Sequence, residues 1–244
     1  MRYTIVDSHR NWKRAQNEAL MAFFTEGKGL RAEEAEYQCS FLNWYEKEYS
    51  VKCFEAVAYD KGKVVGYMRC YRDPQSDKRW FVGDIYVLLT YRKKSIGKKL
   101  YDRLIDEVIE YEAAECLEAS VSKSNEASIA LHESMGFSDT QKSGRFASFY
   151  FPEDESIYRL MLYKYYPLNS FENAKESLEG IWERALLESK EIKESSYGRM
   201  TIDQVLEECL VKESIDMETI WNGNKLVGIT IENREERLEY QIDC

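Results

Sequence analysis

The chain has 244 residues and a formal charge of −10, with 44% hydrophobic and 14% aromatic residues. This composition can supply a hydrophobic core, and no apolar run approaches the roughly 18 residues of a membrane-spanning helix. The N-terminal residues lack the apolar stretch of a signal peptide, so the sequence predicts a cytoplasmic protein that does not associate with a membrane.

The charge is distributed unevenly. Residues 167–244 carry 9 Lys and Arg against 18 Asp and Glu, a net charge of −9, which leaves −1 for residues 1–166. This asymmetry predicts a main domain at 1–166 and an acidic subdomain at 167–244, for which the sequence indicates no role. Acidic surfaces repel phosphates, so nucleic acid is not expected as a partner. Two histidines and six scattered cysteines without a CxxC pair predict no metal site.

Strand and helix signals alternate along the first 166 residues. A meander of strands followed by alternating helices and strands predicts an α/β domain with a mixed sheet. The predicted elements are a strand at 4–6, helices at 10–24 and 31–49, strands at 52–59, 64–71 and 80–88, a helix at 95–112, a strand within 113–121, a helix at 124–135, and strands near 145–151 and 156–165.

The remaining residues predict a small α+β subdomain. Long and short helices are expected at 171–194 and 201–211, and strands at 218–221, 226–232 and 238–242. The Asn222-Gly223-Asn224 segment favours a hairpin turn between the first two of these strands.

The most distinctive segment follows the strand at 80–88. There Arg92-Lys93-Lys94-Ser95-Ile96-Gly97 places small and basic residues at the start of a helix. Unpaired N–H groups and the helix dipole favour anions at such a terminus, and glycine lets the backbone approach a ligand closely. The pattern therefore predicts a phosphate-binding turn.

Two motifs resemble the GNAT superfamily of N-acetyltransferases. Arg92–Gly97 is similar to the family signature Arg/Gln-x-x-Gly-x-Gly/Ala, and Asn125, Leu131-His132 and Gly136-Phe137 are similar to the second signature, Asn-x-x-Ala…Leu-Tyr-x-x-x-Gly-Phe. The resemblance covers about residues 1–166. It implies a GNAT-like fold, acetyl-coenzyme A (acetyl-CoA) as the cosubstrate and no requirement for a metal.

The resemblance also implies how the cosubstrate is held. Turn N–H groups would wrap its pyrophosphate, the pantetheine arm would lie beside the fourth strand, and an N–H group near Val87 would polarise the thioester carbonyl. The predicted cosubstrate-binding residues are Tyr86, Val87, Arg92, Lys93, Lys94, Ser95, Ile96, Gly97, Lys98 and Asn125.

The sequence departs from the family pattern at two positions. Ser95 stands where the first glycine is usual, so the turn is expected to avoid a positive φ at this residue. His132 stands where many members have a tyrosine that protonates the leaving thiolate, and an imidazole can act as that general acid. The alternative for His132 is a hydrogen-bonded packing role.

Asp84 is the other predicted catalytic residue. The segment Gly83-Asp84-Ile85-Tyr86-Val87 resembles the Glu-Asp-Phe-Phe-Val of polyamine acetyltransferases. A carboxylate that faces inward here can bind a cationic amine and accept its proton, directly or through water. A carboxylate that faces solvent would have no such role.

These residues predict an acetyl-CoA-dependent N-acetyltransferase. The expected acceptor is the primary amine of a small cationic molecule (a polyamine, an aminoglycoside-like compound or an amino-acid derivative), which attacks directly in a ternary complex. One alternative is a protein acetyltransferase that acts on lysines or N-termini. Another is a non-catalytic acyl-CoA-sensing module whose C-terminal unit binds a protein partner. In a third, the C-terminal unit serves only for oligomerisation, for example as a homodimer, and closes the acceptor cleft.

Overall fold

The computed structural model describes residues 4–7, 14–110, 113–142, 145–146, 149–167, 175–212, 214–222 and 225–242. Contacts divide the chain into two compact units, Met1–Leu162 and Tyr163–Cys244. Within the described ranges, no helix is both long enough and apolar enough to cross a membrane.

The first unit follows the predicted order of strands and helices. Residues 10–13 of the first predicted helix lie outside the described part of the chain. The elements are β1 (Thr4–Asp7), α1 (Arg14–Ala22), α2 (Ala32–Tyr49), β2 (Cys53–Asp60), β3 (Lys63–Arg72), β4 (Arg79–Val87), α3 (Ile96–Ile109), β5 (Cys116–Ser122), α4 (Glu126–Ser134), β6 (Ser138–Asp139), β7 (Arg145–Phe146), β8 (Phe149–Tyr150) and β9 (Glu155–Met161).

The main sheet of this unit is mixed. Among the described residues it has seven strands in the order β1-β2-β3-β4-β5-β9-β6. β4 and β5 run parallel, and the other neighbours are antiparallel. The predicted mixed α/β class is therefore confirmed. The prediction of one strand at 145–151 is wrong, because β7 and β8 pair with each other as a separate antiparallel ribbon.

Helices cover both faces of the sheet. A Cβ atom on Gly66 of β3 would lie 3.0 Å from Ile96 and 3.3 Å from Leu100, so this face packs on α3. Successive strand residues point to opposite faces, and the next residue, Tyr67, packs its ring edge-on to Phe24 beyond α1. The α1–α2 segment and α3 thus bury the two faces of β3, whose residues 64–71 are all buried.

The second unit has its own sheet and core. Its strands pair in the order β10-β11-β12-β13, all antiparallel. Its core includes Trp182, Val205 and Ile229. The elements are β10 (Tyr163–Pro167), α5 (Lys175–Glu188), α6 (Lys190–Glu194), α7 (Ile202–Leu210), β11 (Asp216–Asn222), β12 (Lys225–Glu232) and β13 (Arg237–Gln241).

Two predictions for this region need correction, and parts of others fall outside the described residues. The strand predicted at 156–165 is two strands, because β9 pairs in the first sheet and β10 in the second, on either side of Leu162. The helix predicted at 171–194 is broken at Ser189, whose extended backbone and side-chain hydroxyl cap α6. Residues 168–174 and 223–224 lie outside the described part of the chain.

Candidate active site

The site begins where β4 and β5 separate. The two strands pair only from Arg79 and Cys116 to Val82 and Ala119, while β5 continues along β9 to Ser122. Beyond Val82, residues 83–87 are half-buried, and no strand in the described part of the chain pairs with them on the β5 side. This edge of β4 can accept an extended ligand by backbone hydrogen bonding.

The direction of the backbone groups on this edge follows from the β3 pairing. Leu88 N–H donates to Val65 O at 3.0 Å, toward β3. Because N–H directions alternate along an antiparallel strand, the N–H of Val87 points to the opposite, open edge. Arg92 approaches the same edge, where its Nε donates to Val87 O at 3.0 Å.

A bulge at Gly83 precedes this open segment. Asp84 pairs with Arg69 and Val82 with Cys70, so Gly83 is the extra residue on β4. A Cβ atom on Gly83 would lie 2.3 Å from the Tyr71 ring. The aromatic ring therefore requires glycine here, and the bulge sets the face to which the following side chains point.

The basic turn adopts a strained backbone that suits an anion. Lys93 and Ser95 both have a φ of 58°. The expectation that Ser95 avoids positive φ is wrong, because this left-handed residue directly precedes α3 and turns the chain into the helix. Left-handed backbone costs roughly 1–2 kcal/mol for a non-glycine residue. Such turns gather N–H groups into a concave anion site.

The side chains of the turn divide into two groups. Arg92 lies over the Tyr86 ring at 5.5 Å, and Lys94 Nζ donates to Thr90 O at 2.8 Å, so both contact neighbouring parts of their own chain. Lys93 and Lys98 are exposed. Arg92 and Lys94 are exposed as well, so all four basic side chains face solvent and two of them also contact the backbone beside the turn.

Packing fixes the start of α3 against α4 and β4. A Cβ atom on Gly97 would lie 3.1 Å from Leu131 and 3.9 Å from Ile85. Ile96 is buried under β3 at 2% exposure. These contacts hold the turn at the end of β4 where the open edge lies.

Asp84 is paired with an internal ammonium group that sequence reasoning did not identify. Lys28 Nζ lies 2.6 Å from Asp84 Oδ2, and the two side chains are 21% and 17% exposed. Lys28 also lies 5.8 Å from the centre of the Phe24 ring and 5.4 Å from that of Tyr86. The expected inward carboxylate is present, and it holds a primary alkylammonium against two aromatic rings.

Other charged side chains are buried on the same face of the sheet. Arg69 is 6% exposed, with its guanidinium 4.1 Å from the Phe41 ring centre, and Glu55 is 5% exposed in the opposing position on β2. Burial, followed by the nearby charge of Glu55, raises the pKa of Tyr67. The only sequence signal for this cluster is that Glu55 and Arg69 interrupt otherwise apolar strands.

His132 lies in a buried aromatic cage. It is 2% exposed, and its ring packs against Tyr101, Phe137 and Tyr158. Nδ1 lies 2.7 Å from Ser128 O, which can only accept, so this nitrogen carries the proton. Nε2 then accepts from the Tyr101 hydroxyl at 2.5 Å. Burial lowers the pKa of His132, an effect that the Ser128 carbonyl partly opposes.

Asn125 caps α4. Its side-chain oxygen accepts from Ser128 N–H at 3.1 Å, and the residue is exposed. This contact explains an asparagine at the position on structural grounds. The structure thus brings Tyr86, Val87 and Arg92 together at the open edge, whereas His132 contacts Tyr101 inside the core.

Comparisons with known proteins identify relatives of the first unit. The chain is 30% identical over 128 residues to the "N-terminal acetyltransferase complex ARD1 subunit homolog" of Dictyostelium discoideum, a match to 52% of this chain. It is 34% identical over 110 residues to the L-methionine sulfoximine/L-methionine sulfone acetyltransferase of Salmonella typhimurium, a match to 41% of this chain. Each match spans 58% of the relative's length.

Solved structures share the fold. A candidate acetyltransferase of the GNAT family from Desulfovibrio desulfuricans superposes with a TM-score of 0.51 at 16% identity, over 66% of this chain and 99% of that one. An acetyltransferase of the GNAT family from Staphylococcus aureus Mu50 gives 0.50 at 16% identity, over 66% and 99%. The model of the acetyltransferase (GNAT) family matches residues 12–137, more than half of the chain. The protein is therefore a member of the GNAT acetyltransferase family.

Proposed function

We propose that the protein is an N-acetyltransferase that moves the acetyl group of acetyl-CoA to the primary amine of a small cationic acceptor. Acetyl-CoA supplies an activated thioester, and the acceptor reacts directly in a ternary complex. Two features fit this cosubstrate: the anion-binding turn with positive φ at Lys93 and Ser95, and the open edge of β4. The turn suits the pyrophosphate, and the edge suits the extended pantetheine arm.

The Asp84–Lys28 pair is the observation that carries the acceptor class. The pair shows that this carboxylate accommodates a primary alkylammonium at 2.6 Å beside the Tyr86 ring. An external amine of the same chemistry can occupy the site when the Lys28 side chain moves aside. A rigid acceptor without a cationic amine would leave the Asp84 carboxylate without an opposite charge as its partner.

Residue roles follow from these positions. Asp84 binds the acceptor ammonium and takes its proton, directly or through water. The N–H of Val87, which faces the open edge, stabilises negative charge that develops on the carbonyl oxygen. Lys93, Ser95, Gly97 and Lys98 hold the phosphates, with Lys94 and Ile96 completing the turn.

A general-acid role for His132 would require a change in the structure around its ring. Both ring nitrogens have partners and the ring is 2% exposed, so protonation of the leaving thiolate by His132 requires the cage to open. A coenzyme A thiol resembles a cysteine thiol, whose pKa near 8.5 makes the thiolate a fair leaving group without a strong acid. We therefore assign His132 a structural role between α3 and α4 and keep the acid role as the alternative to be tested.

The experiment is a binding and turnover assay. Calorimetry with acetyl-CoA should detect binding at or below about 1 mM, the upper range of typical enzyme KM values. Thiol release should then be faster with small diamines and basic amino-acid derivatives than with peptides. Absence of coenzyme A binding would overturn the proposal, and binding without turnover of any amine would favour an acyl-CoA-sensing module.

A protein acetyltransferase is the second candidate. The relative named for an N-terminal acetyltransferase complex favours it, at 30% identity over 128 residues. Peptides whose N-terminus or lysine is acetylated faster than any small amine would establish it. We further propose a cytoplasmic location, which fractionation tests, and a homodimer, which sizing of the full chain tests.

A further inference from the structure

The segment that carries Lys28 is built tightly against the end of β4. A Cβ atom on Gly27 would lie 2.6 Å from Cδ2 of Leu88, the residue that follows β4, so a larger residue here would require the Leu88 side chain to shift. Lys28 N–H then donates to Phe23 O at 2.9 Å, and Gly29 turns the chain away with a φ of 76°. Lys28 is therefore held near the end of β4 by its own backbone.

The Lys28 ammonium lies at the point where the proposed function requires the acceptor amine. Its Nζ contacts Asp84 Oδ2 at 2.6 Å and lies 5.4 Å from the centre of the Tyr86 ring. At 21% exposure, the Lys28 side chain remains partly accessible to solvent. Asp84 belongs to the half-buried segment 83–87 whose edge is open.

We propose that Lys28 is itself an acetyl acceptor, and that bound acetyl-CoA modifies its Nζ when no external amine occupies the site. The proposal rests on the proposed function, because it uses the same cosubstrate site and the same carboxylate. It adds a modification site on this chain. Lys28 is modified in preference to other lysines because the fold places its Nζ at the proposed reaction site.

The step balances in atoms and charge. The Lys28 ammonium gives one proton to Asp84, and the freed Nζ forms a bond with the acetyl carbonyl carbon. The carbon–sulfur bond breaks, and the sulfur keeps its electron pair. A second proton from Nζ reaches the thiolate, so the products are an amide on Lys28, free coenzyme A and a proton that Asp84 passes to solvent.

Acetylation has a direct consequence for the site. The amide nitrogen carries no charge, so it cannot neutralise Asp84 as the ammonium does. Asp84 then becomes available to an external ammonium. Acetylation of Lys28 would thus convert a site closed by its own lysine into one that is open to cationic acceptors.

The test is a mass measurement on the full chain. Wild type, Lys28→Arg, Asp84→Asn and Lys47→Arg are incubated with acetyl-CoA and no amine, and modified peptides are mapped. Lys47 is an exposed lysine on α2, so its modification measures direct chemical acetylation by acetyl-CoA that does not depend on the proposed binding site. Lys28 should be modified faster than Lys47 by at least about tenfold, the advantage expected of a positioned amine. Excess coenzyme A and Asp84→Asn should each suppress the reaction, and Lys47→Arg should leave it unchanged.

Two results would overturn the inference. One is an unmodified Lys28 in a sample that acetylates added amines, which leaves the proposed function intact. The other is modification of Lys28 at the rate of Lys47 and unaffected by excess coenzyme A, which marks a chemical side reaction. Absence of any coenzyme A binding would instead remove the proposed function and this inference together.

Discussion

The Tyr101 hydroxyl donates to Nε2 of His132 at 2.5 Å, and this contact joins α3 to α4 inside the core. Burial raises the pKa of Tyr101 and lowers that of His132, so both groups stay neutral near pH 7. The two residues therefore link α3, which follows the basic turn at 92–97, to α4, which Asn125 caps. A catalytic interpretation of His132 has to account for this structural role.

His132→Phe is expected to lower stability more than activity. The substitution leaves the buried Tyr101 hydroxyl without His132 as a partner, which costs about 1–3 kcal/mol, whereas the Ser128 carbonyl keeps its place in the backbone hydrogen bonding of α4. Chemical denaturation should show a lower free energy of unfolding, with kcat nearly unchanged well below the midpoint temperature. An unchanged stability with a kcat at least about tenfold lower would restore the general-acid role.

The pH dependence of stability should also report His132. Its folded pKa is lowered from 6.5, so the unfolded chain binds more protons as the pH falls below 6.5. Stability is therefore greatest above pH 6.5 and declines below it until the folded pKa is passed. Carboxylates with lowered pKa values, such as Glu34, lose their contribution only as the pH falls through 4.5 and below. Denaturation of wild type between about pH 5 and 7 should show a slope that His132→Phe reduces.

Ser95→Gly should stabilise the protein. Relief of left-handed strain is worth roughly 1–2 kcal/mol, and the added freedom of glycine in the unfolded chain removes about 0.4–1 kcal/mol of this gain. Ser50 is the matched control, because it also has a positive φ, 53°, and ends α2 away from the turn. Both glycine variants should raise the free energy of unfolding, but only Ser95→Gly should change the Kd for coenzyme A. Equal, unchanged affinities in both variants would argue against phosphate contact at residue 95.

Gly97→Glu should abolish coenzyme A binding. The side chain would crowd Leu131, 3.1 Å from the new Cβ, and would place a negative charge at the start of α3, in the turn proposed to bind phosphate. Gly180→Glu is the control, because a Cβ there meets nothing within 4 Å on the exposed face of α5. Calorimetry should find no binding for the first variant and unchanged binding for the second. Unchanged binding by a folded Gly97→Glu variant would refute the proposed location of the cosubstrate.

Local patterns explain why the first sheet and its turn could be predicted. An apolar strand, a basic turn and an amphipathic helix are neighbours in sequence. The pattern of residues 86–104 therefore predicted the end of β4, the turn and the start of α3 correctly. The bulge at Gly83 could not be inferred in this way, because it depends on a register with β3 and on the Tyr71 ring. The left-handed backbone at Ser95 was missed because propensity disfavours it and tertiary packing overrides that preference.

The features of the site that the sequence did not reveal, namely the Lys28 pairing and the burial of His132, depend on contacts between distant parts of the chain. Lys28 lies between two glycines, a pattern that predicts only the end of a helix. It is separated from Asp84 by 56 positions, so the sequence does not indicate their contact. The burial of His132 requires Tyr101, 31 positions away, to cover one side of its ring. Helical spacing indicated α4 but not which of its polar residues faces the core.

Lys28→Met should increase affinity for a cationic acceptor. Methionine keeps the apolar length of the side chain beside Phe24 and Tyr86 but removes the ammonium that occupies Asp84. The pair is largely shielded from solvent, so it is worth at least the roughly 1 kcal/mol of an exposed pair, and KM for a diamine should fall by about fivefold or more while kcat changes little. Asp84→Asn should raise KM for the same diamine, and Lys47→Met, which changes an exposed lysine of α2, should leave KM unaltered. If Lys28→Met instead raised KM, Lys28 would act as a binding residue for the acceptor rather than as its internal competitor, and an acceptor with a carboxylate would become the better candidate.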